Sequence, residues 1–339
     1  MIQPKIPRFL FEAFDELINL NEKNVIVCKT TNSFNLGQNS EIDIIVNLEQ
    51  VNNIRRINKF HENVNNLIVD NGLYISCAET GIQRNYRLRR KHFILLSPFF
   101  TFIDFIYKRV IPKMPIIKKL YFAITRGHNR VMSETEILGR LVSCGFSIYK
   151  TINHDGLTYI LSHKVREPYY DMNPSYGPIF KMKRIGYNGE IISVYKFRTM
   201  SPYSEYIQKR ITDNNKLSDS GKIRNDYRIT VYGKFLRKYW IDEFPMIINW
   251  FKRELKIVGV RPLSKDYFSR YPDDLKKLRI KTKPGLIPPY YVDLPVSFDE
   301  ICDSERNYLN KFFKNPIKTD LIYFFSAFWN IFIRRKRSN

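Results

Sequence analysis

The chain has 339 residues, enough for about two domains of ordinary size. Hydrophobic residues make up 44% of it and aromatics 15%, so a sizeable core can be buried, while a formal net charge of +23 calls for anionic partners: nucleic acid, acidic lipid headgroups or phosphorylated substrates. The four cysteines (Cys28, Cys77, Cys144, Cys302) have neither metal-ligand nor redox spacing, and the five histidines form no HxxxH or HxH pattern, which argues against a disulfide framework and a zinc site.

Met1-Ile2-Gln3-Pro4-Lys5 does not read as the start of a secretory signal, and no run reaches the ~20 apolar residues of a spanning helix. The expected location is therefore cytoplasmic, with attachment to a membrane surface left open. Charge changes sharply along the chain: residues 1–70 carry a net of −2, residues 84–130 a net of +11.

Asn24–Cys28 and Ile42–Val46 are short β-branched runs, read as buried parallel strands. Residues 49–67 read as a helix, Asn71-Gly72 as a break, and Leu73–Cys77 as a third strand. Ser133-Glu134-Thr135-Glu136 has the pattern of a capping box, opening a helix that Gly145 ends. Phe146–Thr151 and Leu157–Ser162 flank Asp155-Gly156, a hairpin signal. This order resembles the second half of a class I methyltransferase-like Rossmann fold over about residues 24–165. The segment Thr31–Gly37 does not match the Gly-rich cofactor loop, so a degenerate, structural or partner-binding domain is expected rather than an active methyltransferase.

Two apolar, aromatic segments have basic flanks. Residues 93–107 follow Arg87, Arg89, Arg90 and Lys91 and precede Lys108 and Arg109; residues 321–333 precede Arg334-Arg335-Lys336-Arg337. Both patterns suit an interfacial segment on anionic lipid, the alternative being core helices.

Chemistry concentrates beyond residue 174. Asn188-Gly189 between Ile179–Ile185 and Glu190–Phe197 predicts a type I′ hairpin. Lys196 and Arg198, two apart, would share a strand face suited to a diphosphate, or simply form a solvated face. Gly233, Arg237 and Lys238 belong to a basic helix. Pro245 is tolerated only in a first turn, which places Asp242 and Glu243 at a helix N-terminus. There the helix dipole would keep Asp242 ionised, and an adjacent acidic pair could share a divalent cation; a capping role is the plainer alternative. Ile247, Trp250, Phe251 and Leu255 would bury one face of that helix. Arg261, just after Gly259, could grip phosphate.

GPIF (177–180), RIGYNG (184–189), YKFRTM (195–200), NDYRIT (225–230), GKFLRK (233–238), IDEFPMIIN (241–249), VGVRP (258–262) and KPGL (283–286) occur in that order. The series resembles the bacterial sugar transferase family, the monotopic polyprenyl-phosphate sugar-1-phosphate transferases, over about residues 175–335. The resemblance implies a two-step, Mg²⁺-dependent reaction. Asp242 would attack the diphosphate of a UDP-sugar, UMP would leave, and polyprenyl phosphate would take the sugar phosphate. Glu243 would serve the metal or the site's electrostatics alongside Asp242, and Lys196, Arg198, Arg261 and Arg237 would handle phosphate. The implied setting is the cytoplasmic face of a bacterial inner membrane, in surface-polysaccharide or glycoconjugate synthesis. In the family a re-entrant membrane helix directly precedes GPIF; here a hairpin and linker stand there.

The expected fold class is α/β, with a degenerate Rossmann-like domain over 1–168, carrying the basic apolar stretch 84–130, and a helix-rich α+β transferase domain over 175–339. The expected partners are a UDP-sugar, polyprenyl phosphate and a membrane surface, with no nucleic acid and a homodimer left open. The alternative is a non-catalytic membrane-bound scaffold of the same fold.

Overall fold

Alternation of apolar residues on two faces builds the first sheet. In the computed structural model, which describes residues 5–14, 24–37, 41–93, 95–114, 116–170, 176–208 and 226–333, five strands line up in the order β1-β2-β3-β5-β4. They are β1 (Val25–Cys28), β2 (Ile42–Gln50), β3 (Ile68–Ala78), β4 (Phe146–His154) and β5 (Leu157–Lys164). β1, β2 and β3 run parallel; β5 is antiparallel to both β3 and β4. Ile42, Ile45 and Tyr74 meet α2 (Ile57–Leu67) and α6 (Glu134–Ser143) on one face, through Phe60, Val64, Ile137 and Leu141. Ile44, Val46, Ile75 and Leu161 pack on the other face against Leu10 of α1 (Arg8–Phe14). The central strands read as continuous apolar runs because both faces are covered.

Three expectations are corrected here. The helix expected over 49–67 begins only at Ile57, because β2 continues to Gln50 and a 3₁₀ turn covers Val51–Asn53. Asn52, buried in that turn, holds the local backbone: its Nδ2 donates to the carbonyls of Glu79 and Arg130, both at 2.8 Å, and its Oδ1 accepts from the Glu79 N–H at 2.8 Å. Asn71-Gly72 does not break the chain; Asn71 takes a positive φ of 61° inside β3, where the register with β2 shifts. The capping box at Ser133 is half formed. Ser133 Oγ accepts from the Glu136 N–H, but the Glu136 carboxylate turns to Arg109, Lys113 and Arg140.

Between β3 and α6 lie α3 (Gly81–Lys91), α4 (Ser97–Phe105) and α5 (Lys118–Thr125). Arg84 of α3, only 3% exposed, pairs with Glu79 at 3.1 Å and with Asp104 of α4 at 2.6 Å. That buried ion pair explains the acid inside an otherwise apolar segment. Leu95, Phe99 and Phe102 near or on α4 are more than half exposed, as are Leu120 and Ile124 on α5. These side chains are therefore not packed into the core of the first unit.

The chain divides into two compact units that are not contiguous in sequence. The first comprises Met1–Pro178 with Met200–Val231; the second comprises Ile179–Thr199 with Tyr232–Asn339. The returning piece of the first unit packs by close backbone approach: a Cβ at Gly139 of α6 would lie 2.2 Å from the Tyr203 carbonyl oxygen. Ser133 and Ser201 share a hydrogen bond of 2.8 Å.

The second unit holds a hairpin, β6 (Ile179–Ile185) and β7 (Ile191–Phe197), and a short parallel pair, β8 (Lys256–Val258) and β9 (Gly285–Ile287). Asn188 (φ 53°) and Gly189 (φ 79°) form the expected type I′ turn, closed by Glu190 N–H donating to the Tyr187 carbonyl at 3.1 Å. Its helices are α7 (Val231–Lys238, whose first residue belongs to the first unit), α8 (Ile247–Phe251), α9 (Lys265–Ser269), α10 (Asp273–Ile280), α11 (Tyr290–Asp293), α12 (Phe298–Lys314) and α13 (Pro316–Phe328). Val258, Leu275, Tyr308, Leu309 and Tyr323 form its main core. Tyr323 and Ala327 face inward on α13, whereas Leu321, Ile322 and Phe325 are at least half exposed. The basic run 334–337 lies outside the described residues.

Candidate active site

The site is assembled from β7, the turn before α8, and the loops after β8 and β9. Asp242 and Glu243 sit in a 3₁₀ turn, Ile241–Met246, entered through Trp240 in the left-handed region. Asn249, fully buried, fixes that turn against β7. Its Nδ2 donates to the Ser193 carbonyl at 2.7 Å and to Glu254 at 2.6 Å, and its Oδ1 accepts from the Tyr195 N–H at 3.0 Å. The next residue after Tyr195 is Lys196, whose Nζ forms an ion pair with Glu243.

Arg261 enters from the other side. Gly259 and Gly285 bring β8 and β9 within backbone contact; a Cβ on Gly285 would stand 2.1 Å from the Gly259 nitrogen. Arg279, paired with buried Glu305, donates to the Arg261 carbonyl at 2.5 Å and so fixes where its side chain begins. Arg184 on β6 joins them. Lys196, Glu243, Arg184 and Arg261 all line one cavity of about 260 Å³, closed by Tyr267 and Tyr290 among others. Burial, then the like charge of Arg261, lowers the pKa of Arg184.

The expected residues separate into two groups. Lys196, Glu243 and Arg261 come together in the cavity; Asp242, Arg198 and Arg237 are not among its lining residues. Arg198 lies one residue beyond the end of β7, with its guanidinium 5.3 Å from the ring centroid of Phe180, the residue of β6 paired with Lys196. Arg237 Nε donates to Thr199 Oγ1 at 2.9 Å, and its charge acts on Asp242. Asp242 is half-buried, and burial followed by Glu243 raises its pKa, with Lys196 and Arg237 opposing.

Arg184, Tyr267 and Tyr290 were not anticipated. Arg184 stands in the RIGYNG series, but nothing in its spacing separates it from any exposed strand cation. The apolar face expected of α8 is also corrected. Leu255 is buried, but Ile247, Trp250 and Phe251 are 37%, 39% and 71% exposed, because α8 ends after one turn and Asn249, not an apolar residue, takes the inner position.

Residues 171–334 match the family model described as bacterial sugar transferase. The chain is 36% identical over 140 residues to "Galactosyl transferase CpsE" of Streptococcus agalactiae, a match covering 40% of this chain and 31% of the relative. It is 34% identical over 124 residues to "Undecaprenyl-phosphate galactose phosphotransferase" of Salmonella typhimurium, covering 35% and 26%. It is 36% identical over 113 residues to "UDP-glucose:undecaprenyl-phosphate glucose-1-phosphate transferase" of Escherichia coli, covering 32% and 22%. The chain thus spans a third or less of the length of these three relatives.

Proposed function

We propose that this chain, whose residues 171–334 belong to the bacterial sugar transferase family, transfers a sugar 1-phosphate from a UDP-sugar to a polyprenyl phosphate. The observation that carries the reading is the single cavity lined by Lys196, Arg184 and Arg261 with Glu243 on its wall and Asp242 next in sequence. Three cations suit a diphosphate, and a neighbouring carboxylate suits an attack on it.

In the first step an Asp242 carboxylate oxygen attacks the sugar-bearing phosphorus; the bond from that phosphorus to the bridging oxygen breaks and UMP departs with the electron pair. In the second, a phosphate oxygen of the polyprenyl carrier attacks the same phosphorus and the Asp242 carboxylate leaves unchanged. Lys196 and Arg261 neutralise charge on the transferring group. Lys196 also draws on Glu243, which restrains the latter's repulsion of Asp242.

Among the described residues no cluster of three metal-ligating side chains occurs. Magnesium needs only one or two carboxylates when waters and substrate phosphates complete its shell. Asp242 and Glu243, adjacent and mutually repulsive, fit that requirement and would hold it; the ion would supply charge neutralisation at the diphosphate.

Attachment to a membrane surface, at the cytoplasmic face of the inner membrane, completes the reading. No helix among the described residues is long and apolar enough to cross a membrane. What supports surface contact is exposed Phe99 and Phe102 on α4 in the first unit, and Phe251 and Phe325 in the second. Three adjacent parallel strands support a Rossmann-like first domain as part of the same proposal.

The test is UMP release from a panel of UDP-sugars by the detergent-solubilised protein with Mg²⁺ and polyprenyl phosphate. UMP appearing with one donor, and lost in a folded Asp242→Asn variant, is the expected result. Full activity in that variant overturns the nucleophile assignment. No release from any donor overturns the function and leaves the scaffold reading.

A further inference from the structure

The first unit contains a cavity of about 530 Å³ that shares no residue with the one described above. Among the described residues its walls carry ten Lys or Arg residues and a single carboxylate, Glu136. They come from the loop after β2 and the start of α2, from the turns following α4, from α5 and from α6, with Tyr176 and Tyr203 completing the rim. In open sheets with parallel strands, the space beyond the strands' carboxyl ends is where ligands settle.

Among the described residues the charge within is not balanced. Arg109, Lys113 and Arg140 all pair with Glu136, so three cations share one negative charge. Arg109 and Arg140 are 5% and 7% exposed. Arg130, which Asn52 helps to position, donates to the carbonyls of Gly127, Ile54 and Arg55 rather than to an acid. Burial, then the like charge of Arg109, lowers the Lys113 pKa to about 7. Buried cations in excess are costly unless an anion offsets them. Aromatic rings frame the same space, with Phe122 5.6 Å from the guanidinium carbons of both Arg55 and Arg130, and Tyr203 4.4 Å from that of Arg140.

We propose that this cavity is a second anion site, taking a phosphorylated ligand with at least two negative charges, independently of the transferase reading. The size suits a small molecule rather than a polymer. The diphosphate chemistry is common to a soluble nucleotide and to an anionic lipid headgroup. The second source is brought in by α5, where Lys118, Lys119 and Phe122 line the cavity while Leu120 and Ile124 are 62% and 68% exposed.

The test is calorimetric titration of the full chain in detergent with inorganic pyrophosphate, in wild type, Arg261→Ala and the exposed pair Lys118→Glu/Lys119→Glu. Binding that persists in Arg261→Ala and weakens about tenfold or more in the double reversal is the expected result. Binding lost in Arg261→Ala and intact in the double reversal overturns the proposal, since the ion then sits in the transferase cavity. No binding to wild type also overturns it. Thermal unfolding of the double variant shows whether it is folded, and Arg56→Gln serves as a second lining variant expected to weaken binding. A vesicle arm identifies the source. Pyrophosphate that releases the protein from phosphatidic acid vesicles, but not from phosphatidylcholine alone, assigns the site to a headgroup; tight pyrophosphate binding without effect on vesicle retention assigns it to a soluble ligand.

Discussion

Asn249 Oδ1 accepts the Tyr195 N–H at 3.0 Å, so one buried amide ties the carboxylate turn to the strand that carries Lys196. Asn249→Ala leaves the Tyr195 N–H and the Ser193 carbonyl without these partners. The expected cost is ~2 kcal/mol of stability, read by thermal or urea unfolding. Transfer should fall by about tenfold or more in kcat, because Lys196 and Glu243 lose their shared frame. Unchanged stability and turnover would show that the hairpin and turn are held by other contacts.

Gly285→Ala tests the approach of β8 and β9. The added methyl would meet Gly259 backbone at 2.1 Å, which neither strand can avoid without shifting. Overpacking of this kind costs ~1–3 kcal/mol. The unfolding midpoint should drop, and pyrophosphate binding at the Arg261 cavity should weaken with it. A variant as stable as wild type contradicts the close approach.

Lys113 makes stability depend on pH in a stated direction. Its pKa is lowered to about 7 in the folded chain, first by burial and then by Arg109, with Arg140 adding and Glu136 opposing. The unfolded chain therefore holds more protons between pH 7 and the ordinary lysine value, and stability rises with pH across that window. Lys113→Met should flatten the rise in melting temperature between about pH 7 and 9. Parallel curves for wild type and variant would show that Lys113 titrates normally.

Membrane contact predicts a graded loss. Phe102 and Phe325 are 62% and 64% exposed, and withdrawing a phenylalanine side chain from lipid forfeits ~1.5–3 kcal/mol. Phe102→Ser and Phe325→Ser should each reduce retention on anionic vesicles by about tenfold, measured by co-sedimentation, without lowering the melting temperature. Retention equal to wild type in both would remove these faces from the membrane surface.

The sequence made some of this legible and hid the rest for physical reasons. The strands around Ile44, Ile75 and Leu161 were readable because burial on two faces leaves unbroken apolar runs. Asn188-Gly189 was readable because the turn needs two residues of positive φ. The helix boundary at Ile57 was not, since Asn52 acts through Glu79 and Arg130, partners remote in sequence. Arg184 and the pairing of Gly259 with Gly285 escaped for the same reason: what matters is the element each one meets in space. Glu136 looked like a helix cap, and only the fold could reveal three cations around it.

The chain passes between its two units at residues 178–179, 199–200 and 231–232. A single cut near residue 170 would therefore not release two intact bodies. It would strand Ser201 and Tyr203 on the fragment lacking Gly139, Ser133 and Arg140, the residues that receive them. The first unit is thus completed by residues that come after the first hairpin strand pair of the second.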